Sequence, residues 1–391
     1  MNALPAATFV LGAHVFYTAV RAVVTGRSAR AHLNLAALPD LPRVAGVSVL
    51  IPAWNDASTL EDTLTACLRD VGATAAPTQL IVIAGGSDGS YDRAVALTHG
   101  LDHEGLSVLV LPQTPNGKNA ALNAGLRAAT HDLLVFLDAD TVVRPGWLAA
   151  LVGPLQAGRA GATTGHFRAS CQTPVSRIFE LQQFVGQRLR GPVQLFGGGS
   201  IALHRRTLDL IGGALPEEVL VGVDFDLAER LRQAGQVLMY CEAAAVQTEI
   251  SSTWAEYWRG ERRWQRAHLA AQRRHVRDLS LRRMVGLLYV PGVYAALLGG
   301  WLVGPLLTGL LVRSPLLGFQ LWLGFACWVL GRHAATCLEA AAASGDTGWL
   351  KLLPTSMTAF CLSAAATWVA LSDSRPVSAH FKGRRTGGLA R

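Results

Sequence analysis

From Met284 to Leu371 the sequence carries only five charged side chains: Arg313, Arg332, Glu339, Asp346 and Lys351. Charged residues are spread throughout 40–283, so the composition breaks sharply near Met284 and sets a domain boundary there. Over the whole chain 16% of residues are charged, against roughly 25% in ordinary soluble domains. Crossing a bilayer takes roughly 20 consecutive apolar residues as a helix. The stretches 285–312, 315–331 and 349–371 are expected to do so, and residues 4–24 form a fourth such stretch. Pro291, Gly299, Gly300 and Pro305 make the stretch 285–312 either a long kinked helix or a tight hairpin, since such breakers need neighbouring helices to satisfy the freed backbone.

Charge sets the expected orientation. The arginines at 21, 27 and 30 follow the first apolar stretch instead of preceding it. That pattern favours a retained anchor with its N-terminus outside over a cleaved leader. The net charge of +8 is almost all arginine, with Lys118, Lys351 and Lys382 the only lysines. The densest basic run, Arg259 to Arg283, lies directly before the apolar region, the expected position for a cytoplasmic membrane flank. With no nucleic-acid motif present, that run points to a membrane surface and not to nucleic acid. The basic tail Arg375–Arg391 argues for a cytoplasmic C-terminus and hence an even number of crossings after residue 283, which a hairpin or re-entrant piece would supply. The cysteines at 67, 171, 241, 327, 337 and 361 have neither zinc nor disulfide-framework spacing, and fit a reducing, cytosolic setting.

Between these regions the chain alternates strand and helix. Val47–Ile51 is a β-branched run ended by Pro52, as expected of a buried parallel strand. Ser58–Arg69 follows with Leu60, Leu64 and Leu68 on one helical face, and Ser58 with Glu61 makes a capping-box pattern. Strands are expected at Leu80–Ala84, Leu106–Leu111 and Leu133–Leu137, and helices at Ser90–Thr98 and Asn119–Ala129. Repeated βα units imply a mostly parallel sheet covered by helices, whose ligands bind beyond the carboxyl ends of the strands.

The informative residues stand at those ends. They are Pro52-Ala-Trp54-Asn55-Asp56, Ala84-Gly-Gly-Ser-Asp88-Gly-Ser90, Asn116-Gly-Lys118-Asn-Ala-Ala-Leu-Asn123 and Asp138-Ala-Asp140. Further on come Phe196-Gly-Gly198-Gly199-Ser200, Val221-Gly-Val-Asp224-Phe-Asp226 and Arg262-Arg263-Trp264. In this order, over about 46–270, the set resembles family 2 of the inverting glycosyltransferases. In particular it resembles membrane-integrated members of the ceramide glucosyltransferase and polysaccharide synthase type. The resemblance implies an α/β GT-A fold, Rossmann-like with a mostly parallel sheet and flanking helices, joined to transmembrane helices.

It also implies roles. Pro52, Trp54, Asn55, Asp88, Lys118, Asp138 and Arg263 would hold a nucleotide-sugar donor, with Trp54 packed on the base unless it is only a core aromatic. Asp138 and Asp140, two carboxylates at i and i+2 on one side of the chain, would hold Mg²⁺ or Mn²⁺ against the donor diphosphate. Gly198, Gly199 and Trp264 would line the acceptor side. Inversion needs a carboxylate that takes the acceptor hydroxyl's proton. Asp226 with Glu229 makes a capping box, which leaves Asp224 as the expected base.

The chain departs from the family pattern at four places, the first being Trp54, which stands where relatives usually carry Tyr. Ala84 and Gly85 stand where relatives carry an acidic pair that reads uracil, leaving Asp88 as the nearest acid. Val223 replaces a glutamate, and Gly260 stands where relatives have the Gln of QxxRW.

The expected organisation is an anchor at 1–26, a cytoplasmic catalytic domain at 40–250, an amphipathic interfacial segment at 251–283, a transmembrane region at 284–372 and a basic tail at 373–391. Val175–Leu189 is a second stretch expected at the membrane surface. Three readings stay open: a UDP-sugar-dependent transferase acting on a lipid-like acceptor, a processive polysaccharide synthase, or a catalytically silent sugar-nucleotide binder. The single N-terminal span, the missing Gln, the short tail and Phe381-Lys-Gly-Arg384 lean towards the first.

Overall fold

The computed structural model describes residues 46–74, 76–185, 197–275 and 315–372, with isolated helical positions at 20, 22–24, 303 and 310. Apart from those positions, the expected anchor, the expected span at 285–312 and the basic tail lie outside the described residues.

The first half alternates as expected: β1 (Val47–Trp54), α1 (Leu60–Thr74), β2 (Thr78–Gly85), α2 (Ser90–Thr98), β3 (Leu106–Pro112), α3 (Lys118–Ala128) and β4 (Leu133–Leu137). Two boundaries are corrected. The strand β1 does not stop at Pro52 but runs to Trp54, with Pro52 in register with Ile83. Pairing of β1 with β4 ends at Leu50 and Phe136, while the Asn55 amide still donates to Gly85 on β2. Alternate amides point to opposite sides of a strand, so the missing N–H of Pro52 faces the side where β4 has already ended and costs no ladder bond. The helix α1 begins at Leu60, not Ser58, and the Leu60 amide bonds to the Asp56 carbonyl. Glu61 pairs with Arg93 of α2 instead of closing a capping box.

The second half follows as β5 (Thr141–Val143), α4 (Trp147–Gln156), β6 (Ala162–Ala169), α5 (Pro174–Gln183), β7 (Ser200–His204), α6 (Arg205–Asp209), α7 (Val223–Gln233) and β8 (Leu238–Thr248). The eight strands form one sheet in the order β3-β2-β1-β4-β7-β6-β8-β5. The sheet is mixed: β3, β2, β1 and β4 are parallel, and β7 runs antiparallel between β4 and β6. That reversal matters for the site. Because β7 starts where β4 ends, with Leu137 opposite Ser200, the glycines before β7 lie beside the residues after β4.

The sheet separates two apolar layers, as side chains alternating along each strand require. Val47, Val49, Ile51, Val135 and Leu137 face α1 and α4, through Leu60, Leu64, Trp147, Leu148 and Leu151. Leu50, Ile81, Ile83, Leu134 and Phe136 face α3 and α7, through Leu122, Leu126, Leu227 and Leu231. Leu50 has no solvent exposure, so Leu50→Ala leaves a cavity and is expected to cost about 2–5 kcal/mol. A clear fall in the unfolding temperature, with the site residues untouched, checks this.

Beyond β8 lie α8 (Trp254–His275), α9 (Pro315–Ser344), a 3-10 turn (Thr347–Leu352) and α10 (Leu353–Ser372). The span expected at 315–331 is the first part of α9, which continues to Ser344 because an alanine-rich stretch follows Arg332 without a breaker. Gly345, in the left-handed region at φ 79°, ends it. Among the described residues, the helical stretch Thr347–Ser372 is long and apolar enough to cross a membrane. A third apolar cluster joins Val175, Ile178, Leu181 and Phe184 of the α5 region to Tyr257 of α8, Cys337 and Ala340 of α9, and Trp349 and Ala359. The described part of the stretch expected at the membrane surface, 175–185, thus packs against the C-terminal helices, and 186–189 lie outside the described residues.

Candidate active site

The ends of β1 and β2 are tied together by short polar side chains. Asn55 takes a left-handed conformation at φ 58°, one that Asn tolerates better than most residues, and its Oδ1 accepts from the Ser87 amide at 2.8 Å. The Asp56 amide donates to Ser90 Oγ at 2.8 Å, and its Oδ2 accepts from the Trp54 amide at 3.0 Å. Asp88 spends both oxygens here. Oδ1 accepts from the Ser90 amide and hydroxyl at 3.0 and 2.6 Å, and Oδ2 from the Ala57 amide at 2.9 Å. Partial desolvation raises the Asp88 carboxyl, but the hydrogen bonds from Ser90 and Ala57 outweigh it and hold the group below its usual value. Asp88 therefore fastens the two loops together.

Ala84 is fully buried, and a Cβ at Gly85 would stand 2.4 Å from the Gln113 carbonyl oxygen and 3.1 Å from the Trp54 ring. With this backbone no acidic side chain fits at 85. Gln113, immediately after β3, donates its amide to the Ala84 carbonyl at 2.7 Å. Its side-chain Oε1 is buried without a hydrogen-bond partner.

A second group gathers where β4 meets β7. Lys118, opening α3, directs its ammonium to Asp138 Oδ1 and donates to the Gly198 carbonyl at 3.0 Å. The Asp138 amide donates to Gly199 at 3.1 Å. The loop holding Gly198 and Gly199 lies between two carboxylates: a Cβ on Gly198 would be 3.1 Å from Asp224 Cβ, and one on Gly199 3.3 Å from Asp138 Oδ2. Side chains there would close the gap, which is why the loop is built of glycine. Lys118, Asn119, Gly198 and Asp224 line one open cleft over Leu122, Phe136 and Leu227.

The helix α7 begins at Val223 after Gly222, so Asp224 stands in its first turn with its Oδ1 accepting from the Phe225 amide at 3.0 Å. The expected capping box of Asp226 with Glu229 does not form, because the helix starts three residues before Asp226. Asp226 is 1% exposed and paired with Arg230 at 2.7 Å and Arg274 at 3.6 Å. Glu229 pairs with Arg232 at 3.6 Å. The structural role expected for Asp226 is there, filled by arginines.

Arg263 and Trp264 both sit on α8. Surrounding protein atoms pull the Arg263 guanidinium below its usual value, although the side chain keeps contact with solvent. The Asp140 carboxylate acts the other way, which puts the second acid of Asp138-Ala-Asp140 within electrostatic reach of the arginine. Trp264 is 47% exposed and meets Phe179 of α5 edge-on at 6.5 Å. Two turns earlier on α8, Tyr257 and Ser363 of α10 share a hydrogen bond of 3.0 Å. Burial lifts Glu261 above the usual carboxylate range against hydrogen bonds from Gln265, Ser363 and Tyr257. Among the described residues no three His, Cys, Asp or Glu side chains converge as a complete protein cation site.

The structure thus brings Lys118, Asp138, Gly198, Gly199 and Asp224 together, with Arg263 beside Asp140, and places Trp54, Asn55 and Asp88 at the neighbouring strand ends. The motifs assign no role to two side chains that stand at the site. Gln113 also follows a strand, the signal that found the others. Asn119 has a buried, unpaired Oδ1 in the cleft, while its Nδ2 donates to the Pro216 carbonyl at 2.8 Å.

A family model described as "Glycosyltransferase like family 2" matches residues 42–267. Poly-beta-1,6-N-acetyl-D-glucosamine synthase of Staphylococcus aureus is 24% identical over 247 residues, 61% of this chain and 58% of that protein. The pre-mycofactocin glycosyltransferase of Mycobacterium tuberculosis is 30% identical over 217 residues, 53% of this chain and 43% of that protein. The matched region therefore spans only about half the length of these relatives. A mannosyltransferase of Pyrobaculum calidifontis, solved in complex with GDP-Man and Mn²⁺, superposes with a TM-score of 0.54 at 17% identity, covering 94% of this chain and 97% of that one. At that identity the likeness concerns the fold alone.

Proposed function

The chain belongs to glycosyltransferase family 2, and we propose that it is a membrane-bound inverting enzyme. It moves one sugar from a UDP-sugar onto a lipid-like acceptor. The observation that carries this reading is the cleft lined by Lys118, Gly198 and Asp224, with Asp138 held against Lys118 at its edge, at the carboxyl ends of the strands.

The donor's nucleotide lies over Trp54 and the ends of β1, β2 and β3, beside the backbone of Pro52 and Asn55, in loops whose shape Asp88 maintains. Its diphosphate approaches Lys118 and Arg263. Asp138 and Asp140 offer the hard carboxylate oxygens that Mg²⁺ or Mn²⁺ takes, and the Lys118 ammonium on Asp138 already marks the place as one for positive charge. Two protein carboxylates suffice as anchors, because phosphate oxygens and water fill the other positions of such an ion. When bound, the ion supplies neutralisation of the charge on the departing diphosphate.

Asp224 accepts the proton of the acceptor hydroxyl as that oxygen bonds to the anomeric carbon. The bond from that carbon to the diphosphate breaks on the opposite face, its electron pair leaving with the nucleoside diphosphate, so the configuration inverts. Gly198 and Gly199 leave room for the hydroxyl between the two acids, and exposed Trp264 offers an apolar wall for the acceptor.

The packing of α5 and α8 against α9 and α10, the apolar stretch Thr347–Ser372 and the arginines of α8 support an acceptor site beside a bilayer on its cytoplasmic side. The poly-N-acetylglucosamine synthase among the relatives favours a second reading, a processive synthase. Product mass after incubation with radiolabelled UDP-sugars and a bacterial lipid extract separates the two. The lipid reading expects label in the organic phase, one sugar heavier than the acceptor; high-mass aqueous product with no lipid requirement overturns it in favour of the synthase.

A further inference from the structure

At the nucleotide end of the cleft this chain lacks the acid pair of the family pattern, and the structure leaves no space for it. That place is instead closed by three residues on the ends of three adjacent parallel strands. Trp54 closes β1 and Gly85 closes β2 in direct register with it. Gln113 follows β3, its amide on the Ala84 carbonyl. The missing Cβ of Gly85 marks where they meet: it would stand 3.1 Å from Gln113 Cβ and 3.1 Å from the Trp54 ring. Beside this aromatic face lies a buried amide oxygen, Gln113 Oε1, that nothing in the protein satisfies. An unsatisfied buried acceptor costs roughly 1–3 kcal/mol, and native proteins keep few of them without a purpose. Gln113 itself is partly exposed, so a turn of its amide presents that oxygen to the edge of a planar ring laid on Trp54.

We propose that Gln113 reads the nucleobase of the donor in place of the missing acid, its Oε1 accepting a ring N–H while its Nε2 donates to the neighbouring ring carbonyl. For uracil these are N3–H and O4. This deepens the donor reading given above and rests on it. At Gly85 the Gln113 backbone carbonyl fills the space a side chain would need, so the departure from the family pattern relocates base recognition from β2 to β3.

The test is direct binding of UDP and of inorganic pyrophosphate, each with Mn²⁺, to the full chain in nanodiscs, by calorimetry. Gln113→Leu is expected to weaken UDP binding about tenfold, the worth of one or two neutral hydrogen bonds, and to leave pyrophosphate binding unchanged. Gln113→Glu keeps an acceptor for the ring N–H and is expected to recover most of the UDP affinity. Thermal unfolding confirms that both variants fold. UDP affinity unchanged in a folded Gln113→Leu overturns the proposal while leaving the donor reading standing. Equal weakening of UDP and pyrophosphate also overturns it, since the effect then lies in the diphosphate site. A wild-type chain that binds pyrophosphate but no better when a uridine is attached overturns it as well. If the wild type binds neither ligand, the donor reading itself falls, and this proposal with it.

Discussion

Asp224→Asn is expected to lower turnover by about 10²–10⁴-fold, the usual contribution of a positioned general base, without changing donor affinity. The amide keeps the shape and the hydrogen bond from the Phe225 amide, so the fold of α7 has no reason to change. What it loses is the ability to take a proton. Because the effect is confined to the chemical step, kcat and kcat/KM should fall together while the donor's dissociation constant stays put. Asp226→Asn is the matched control two residues away. That side chain is buried and held by Arg230 and Arg274, so its loss should appear as a lower unfolding temperature. An outcome with the two roles exchanged would reassign the base.

Asp138→Ala and Asp140→Ala should each abolish metal-dependent donor binding. The divalent ion is asked to supply several kcal/mol of charge neutralisation, so loss of an anchoring carboxylate costs on the order of hundredfold or more in donor affinity. Stability gives no competing explanation. The Lys118–Asp138 pair is partly exposed, with side chains 25% and 35% accessible, and such pairs contribute about 0–1 kcal/mol. Calorimetric titration of UDP-sugar with and without Mn²⁺ makes the measurement. Wild type should lose binding on chelation, and neither variant should regain it when Mn²⁺ is restored. Binding by the variants that still responds to Mn²⁺ would move the ion elsewhere.

The site is legible because its residues follow strands, and strands declare themselves by short apolar runs such as Val47–Ile51 and Leu133–Leu137. Asp138, Lys118 and Trp54 were all found by that rule. Gln113 obeys the same rule but was passed over, since a lone glutamine after Pro112 has no special chemistry until its amide oxygen is seen buried and unbonded. The capping signals failed for a physical reason. Both Ser58/Glu61 and Asp226/Glu229 have the right spacing, yet Glu61 and Asp226 found arginine partners in neighbouring helices or one turn on, contacts invisible to a local pattern. Pro52 misled in the same way: whether a proline ends a strand depends on which side its missing N–H faces, and that is set by where β4 stops. The antiparallel β7, which brings Gly199 beside Asp138, is likewise a matter of topology that no spacing of residues reveals. The charge break near Met284 shows that an apolar region begins; that α9 runs on to Ser344 follows only from the uninterrupted helix.

The most direct test of the central claim is nucleotide release by the purified full chain in nanodiscs, with UDP-, GDP- and dTDP-sugars, Mn²⁺ or Mg²⁺, and a bacterial lipid extract. Release of UDP is expected to require the metal, rise with lipid and vanish in Asp138→Ala and Asp224→Asn. Release that persists in both variants, or no release from any donor by a protein that still binds nucleotide, would contradict the claim.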